Sequence, residues 1–94
     1  VADFIREMGL DRAEFLRLLP AAVAPRPYRL EGDSIRVEDP AGCVRIRLHP
    51  TTERRIAGLG LPVTRVEFRF QGLDETARRI FMEQFGRHFQ RGGG

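Results

Sequence analysis

The stretch Tyr28-Arg29-Leu30-Glu31-Gly32-Asp33-Ser34-Ile35-Arg36-Val37-Glu38-Asp39-Pro40-Ala41-Gly42-Cys43-Val44-Arg45-Ile46-Arg47-Leu48 decides the fold. Three runs within it, 28–31, 34–38 and 44–48, alternate apolar and polar residues with the period of two that marks a half-buried strand. Gly32-Asp33 separates the first two runs and is a two-residue hairpin loop by composition. Asp39-Pro40-Ala41-Gly42 separates the second pair, with Pro and Gly where a type I turn takes them. The reading is a three-stranded antiparallel meander.

The turns fix the register. With Gly32-Asp33 as the loop, Leu30 faces Ile35 and Tyr28 faces Val37. With Pro40-Ala41 at the second tip, Val37 faces Val44 and Ile35 faces Ile46. Both turns place apolar residues on one side, whereas a slip of one residue would set Val37 against Arg45. The other side then aligns Arg29, Arg36 and Arg45 in one cross-strand row.

Outward from the meander, Thr64-Arg65-Val66-Glu67-Phe68-Arg69-Phe70 reads as a fourth strand, with Val66, Phe68 and Phe70 inward. Gln71-Gly72 turns the chain. Asp74 caps a final helix whose apolar stripe is Ala77, Ile80, Phe81, Phe85 and Phe89. Glu75 sits in its first turn, and Arg87 and Arg91 fall toward its C-terminal end, as the helix dipole favours. Gly86 is an interior glycine that permits close packing or marks a bend.

Before the meander, Phe4, Ile5 and Met8 share a face at helical spacing, Gly9 interrupts, and Asp11 with Glu14 restarts a helix as a capping box. Pro20 is expected to end or bend that helix. Residues 49–52 suggest a turn, 53–56 a short strand or one helical turn, and 58–62 a loop whose apolar residues pack down on the core. The expected fold class is α+β: a four-stranded antiparallel sheet, the meander plus one strand, with N- and C-terminal helices on its Tyr28/Leu30/Ile35/Val37/Ile46/Phe68 face. Residues 1–91 form one domain and 92–94 a flexible glycine tail.

Composition narrows the function classes. A 94-residue chain with 41% hydrophobic and 31% charged residues is globular and holds one core. It begins at Val1 rather than Met, which reads as a trimmed start or a piece of a longer chain. Cys43 is the single cysteine, so no internal disulfide forms, and with no signal-peptide pattern the expected location is cytoplasmic. No apolar run is long enough for a membrane span. All sixteen basic residues are arginine, a usage that GC-rich coding explains and that raises the pI to 10.4 while the net charge is only +3.

No catalytic, cofactor or metal motif emerges. Cys43 and His49 share the outward parity, but six residues at about 3.3 Å each set them roughly 20 Å apart. Gly58-Leu59-Gly60 lacks the Gly-Lys-Ser/Thr ending of a phosphate loop. Ser34, the only serine, lies in a hairpin rather than at a nucleophile elbow.

What remains is the arginine face: Arg29, Arg36 and Arg45 in a row, with Arg47, Arg65 and Arg69 pointing the same way. Like charges opposite one another on neighbouring strands are destabilising, which invites compensating anions. Glu31, Glu38 and Glu67 on the same face, the carboxylates of a protein partner or a second subunit, and nucleic-acid phosphates are the three sources. The sheet aromatics Tyr28, Phe68 and Phe70 all have inward parity, whereas sheets that read single strands display them outward. The leading expectation is a non-catalytic interaction domain engaging an acidic partner or itself; the alternative is nucleic-acid binding. Finally, Arg91-Gly92-Gly93-Gly94 resembles the diglycine tail of ubiquitin-like and sulfur-carrier proteins. That likeness implies activation at the C-terminal carboxylate, although those folds place a strand before the tail and here the helical stripe runs into it.

Overall fold

A computed structural model describes the backbone of residues 2–93 and the side chains of residues 2–89. The order is β1 (Phe4–Met8), α1 (Arg12–Val23), β2 (Tyr28–Glu31), β3 (Ser34–Asp39), β4 (Gly42–Leu48), β5 (Thr52–Ile56), β6 (Leu59–Gln71) and α2 (Glu75–Gly93). The class is α+β with an antiparallel sheet, but the sheet has six strands rather than four. Side by side the strands run β1-β6-β4-β3-β2, and β5 pairs with the first part of β6. The glycine tail expected at 92–94 lies at the limit of this description: α2 is helical through Gly93, and Gly94 is outside the described residues.

The meander has the expected register. Tyr28 faces Val37, Leu30 faces Ile35, Val37 faces Val44 and Ile35 faces Ile46. Gly32 takes φ 67, as the first loop position of a type II′ hairpin requires. At the second turn, Ala41 N–H donates to Asp39 Oδ2.

The first segment is strand and not helix. Phe4, Ile5 and Met8 fit a helical face, but five residues before Gly9 are too short to hold one, and the open edge of β6 supplies ladder bonds instead. β1 pairs antiparallel with β6, Phe4 opposite Phe68 and Met8 opposite Thr64. The helix expected at the N-terminus therefore sits between β1 and β2.

α1 begins as its sequence signals: Glu14 N–H donates to Asp11 Oδ1 at 2.9 Å. It does not end at Pro20, which lies inside it. An interior proline costs about 3 kcal/mol. Burying Val23 beyond it returns about 1.5–3 kcal/mol, and Ala22 and Val23 are both fully packed. Tertiary burial thus carries the helix through the proline.

α2 opens with Ala77 N–H donating to Asp74 Oδ1 at 2.8 Å. Phe81, Phe85 and Phe89 recur every fourth residue on its buried side. The Phe85 ring meets Phe15 of α1 at 6.0 Å, Phe68 of β6 at 5.0 Å and Phe89 at 4.4 Å. This ring touches both the other helix and the sheet, and Phe89 on Phe15 and Phe81 on Phe70 extend the same contacts. Ile80, expected in the stripe, is half exposed, because 100° per residue turns it away from the line of Phe81 and Phe85. The expected Tyr28 and Leu30 burial is also incomplete: they belong to edge strand β2, beyond the reach of the helices, and stay 38% and 50% exposed.

The segment 52–62 departs furthest from expectation. β6 runs unbroken from Leu59, and β5 folds back on it through Ala57-Gly58, both at positive φ (52° and 83°), a type I′ loop. Between the Leu48–Val66 and Thr52–Val63 pairs there are three residues on one strand and two on the other. That β-bulge reverses the parity of β5 relative to β4. Pro62 lies inside a strand without breaking it. Odd-numbered residues of β6 bond toward β4 and β5 (His49 N–H donates to Arg65 O), and even-numbered ones toward β1 (Asp3 N–H donates to Phe68 O). Pro62 therefore points its missing N–H to the side where β1 has already ended, the edge position at which proline is tolerated. The outcome is a two-stranded arm whose residues are nearly all exposed, not a loop packed on the core.

Candidate functional site

The helix-free face of the sheet is built by alternation alone. Every second residue of β2, β3, β4 and β6 points away from the core, and the paired strands bring Arg29 opposite Arg36, Arg36 opposite Arg45, and Arg45 opposite Arg69. Four arginines form one row across four strands. At about 4.8 Å between strands the row spans roughly 14 Å. The next row reads Glu31, Ser34, Arg47, Glu67 and Ile5.

Part of this charge is met within the fold. Arg29 Nε is 3.1 Å from Glu31 Oε2, and Arg36 Nε is 2.6 Å from Glu38 Oε2. The hydrogen bond to Glu38 is the main cause of a raised Arg36 pKa, so that guanidinium is permanently charged. Arg47 Nε stands 3.9 Å from Asp33 Oδ2. Glu67, the carboxylate nearest the centre of the face, is hydrogen-bonded to His49 Nε2. That bond, with the charges of His49, Arg47 and Arg65, outweighs partial burial and holds its carboxyl below the usual range. Arg65 lies opposite Glu7 on β1 and beside Glu67.

Arg45 and Arg69 differ from the rest. They are direct cross-strand neighbours, both exposed, and among the described residues neither has an acidic partner. They rim a depression of about 260 Å³ also lined by Asp33, Ser34, Arg47 and Glu67. The centre of the sheet thus presents two guanidinium groups without acidic partners around a shallow hollow. Such a pair can accept carboxylates or phosphates through charge-assisted, bidentate hydrogen bonds.

All six expected arginines lie on this one face. The alignment of Arg69 with the row follows from β6 lying beside β4, a strand order that hairpin turns do not specify. Cys43 and His49 are kept apart at the two ends of β4: the Cys43 thiol donates to Gln71 Oε1 at 3.5 Å, and His49 meets Glu67. No aromatic residue occupies an outward position of this face among the described residues.

Sequence reasoning missed the arm as a surface. Thr52 faces Val63, Arg54 faces Leu61 and Ile56 faces Leu59, all on the arginine side of the sheet. Ile56 is 53%, Leu59 66% and Leu61 44% exposed. The signal was present: the alternation of 64–70 continues backwards through Pro62, Leu61, Gly60 and Leu59, but Gly and Pro conceal it. Elsewhere, a groove of about 840 Å³ runs between β1 and α2, floored by Phe4, Met8, Phe70 and Met82. Its rim mixes arginines with Asp3, Glu7, Glu75 and Glu83 and so has no preferred sign.

No family model matches the chain, and neither a curated protein nor a solved structure is similar to it.

Proposed function

We propose that this chain is a non-catalytic interaction domain that takes an acidic protein partner on its arginine row. The observation that carries the reading is the Arg45–Arg69 pair, two adjacent guanidinium groups on an open sheet face without carboxylates of their own. A partner carboxylate placed between them forms two charge-assisted hydrogen bonds and removes a repulsion at the same time. Self-association through this face is disfavoured, because a second copy would bring six further arginines to an already cationic face. A polynucleotide is the second anionic class, but the face offers phosphate contacts without stacking platforms.

The test uses a fluorescent glutamate-rich peptide, a glutamine control and a single-stranded oligonucleotide, titrated at low and high salt. The glutamate peptide is expected to bind the wild type with an affinity that falls as salt rises. Arg45→Glu with Arg69→Glu should abolish binding while leaving the far-UV circular dichroism unchanged. Equal binding of the glutamate and glutamine peptides, or retained binding by the double variant, removes the reading.

A further inference from the structure

We infer that the β5–β6 arm is the apolar half of the same interface, and that the partner is an acidic segment with an aliphatic patch beyond its carboxylates. This rests on the reading of the arginine row given above.

The continuity is covalent. Read along β6, the outward residues are Leu59, Leu61, Val63, Arg65, Glu67 and Arg69: aliphatic over the arm and charged over the body of the sheet. Ile56 on β5 widens the aliphatic end. The one charge on that face of the arm, Arg54, is already satisfied: its Nη2 lies 3.0 Å from Glu7 Oε1, reaching across β6 to β1. The arm face is therefore mostly aliphatic and its one cation is paired, whereas the sheet face beside it is cationic. Phosphates have no use for the first half; a protein segment that is both aliphatic and acidic uses both.

Area decides against a second copy docking by arm alone. Two strands of five residues cover only about 10 by 17 Å, or roughly 170 Å². A standard interface removes about 800 Å² per partner. The five strands of the body, unequal in length, add roughly 480 Å², and body plus arm reach roughly 650 Å². Body and arm together come to the lower end of the usual size, which the arm alone does not approach, and a second copy would bring its own arginines onto this face. The spacing follows from the strand. Leu61 and Arg69 are eight residues apart, about 26 Å. A helix of about 18 residues is 27 Å long and spans it.

The probes are three labelled helical peptides of about 18 residues. The composite peptide carries leucines at one end and glutamates at the other on one face. The acid-only peptide has its leucines replaced by serine, and the third has its glutamates replaced by glutamine. Titrated against the wild type, the composite peptide is expected to bind about tenfold tighter than the acid-only peptide. That gain should persist at high salt, where the acidic contribution fades. Leu59→Ser with Leu61→Ser should erase the gain and leave acid-only binding as it was; both residues are exposed, so melting should not shift, and Ile56→Ser provides a second variant with the same expectation. Equal affinity of the composite and acid-only peptides, or a gain that survives both arm variants, overturns the inference while leaving the arginine reading intact. Loss of discrimination between glutamate and glutamine peptides sinks the arginine reading instead. An oligonucleotide that binds the wild type and the arm variants alike, and more tightly than the composite peptide, overturns the assignment of the partner as protein.

Discussion

Arg45→Gln and Arg69→Gln should each stabilise the protein, and the double variant should gain less than the two singles added. The pair is a direct cross-strand contact without an acidic partner on either side, and glutamine keeps most of the apolar stem while removing the charge. Opposed side chains on neighbouring strands have Cβ atoms about 4.5–5.5 Å apart. At about 6 Å in water, two unit charges repel by about 0.7 kcal/mol. Screening leaves about 0.6 kcal/mol at ~0.01 M salt, about 0.4 at ~0.1 M and about 0.1 at ~1 M. For a domain of this size 1 kcal/mol moves the melting temperature by about 4–8 °C. Each single variant should therefore melt about 2–5 °C higher than wild type in ~0.01 M salt and within about 1 °C of it in ~1 M salt. Both singles relieve the same repulsion, so the double-mutant cycle should show a coupling near 0.6 kcal/mol at the lowest salt. Thermal unfolding followed by circular dichroism reads all of this. Additive effects, a fall in melting temperature, or differences that ignore salt would refute the claim that the two guanidinium groups face each other uncompensated.

Two further outcomes follow from the packing. Gly86→Ala should raise stability by about 0.5–1 kcal/mol, because a Cβ at this helical position meets nothing within 4 Å; a drop in melting temperature would show that α2 needs the glycine. Asp39→Asn should cost about 1–3 kcal/mol, since Asp39 Oδ1 receives Arg26 Nε at 2.6 Å where both side chains are about nine-tenths buried. Burial raises the Asp39 pKa, but the hydrogen bonds from Arg26 and Ala41 and the Arg26 charge outweigh it and leave it below the ordinary value. A depressed carboxyl pKa stabilises the fold above the unfolded value near 3.8 and loses that contribution as pH falls through the folded value. Denaturant titrations between about pH 2 and 6 should show a flatter acid limb for Asp39→Asn than for wild type; parallel limbs would contradict the assignment.

The row is largely legible in the amino-acid sequence. Gly32-Asp33 and Pro40-Ala41 are local turn signals, and period-two alternation carries their register along each strand, so Arg29, Arg36 and Arg45 had to align. The same logic placed Arg47, Arg65 and Arg69 on that face. It did not place Arg69 opposite Arg45, because β4 and β6 are separated by β5 and no turn joins them directly.

Sequence alone determined the elements whose reasons are local: the meander, the Asp11 and Asp74 caps, and the inward Val66, Phe68 and Phe70. Tertiary structure decided the rest. Phe4–Met8 became a strand because the free edge of β6 offered it ladder bonds, and α1 passed through Pro20 because Ala22 and Val23 had a core to enter. The arm formed because Pro62 faced an unpaired edge and a bulge after Leu48 turned Ile56, Leu59 and Leu61 toward the arginines. For β1 and α1 the deciding partner lies far along the chain, invisible to propensity and spacing; the arm's own hairpin signal is local, but which way its residues face depends on where β4 and β1 meet β6.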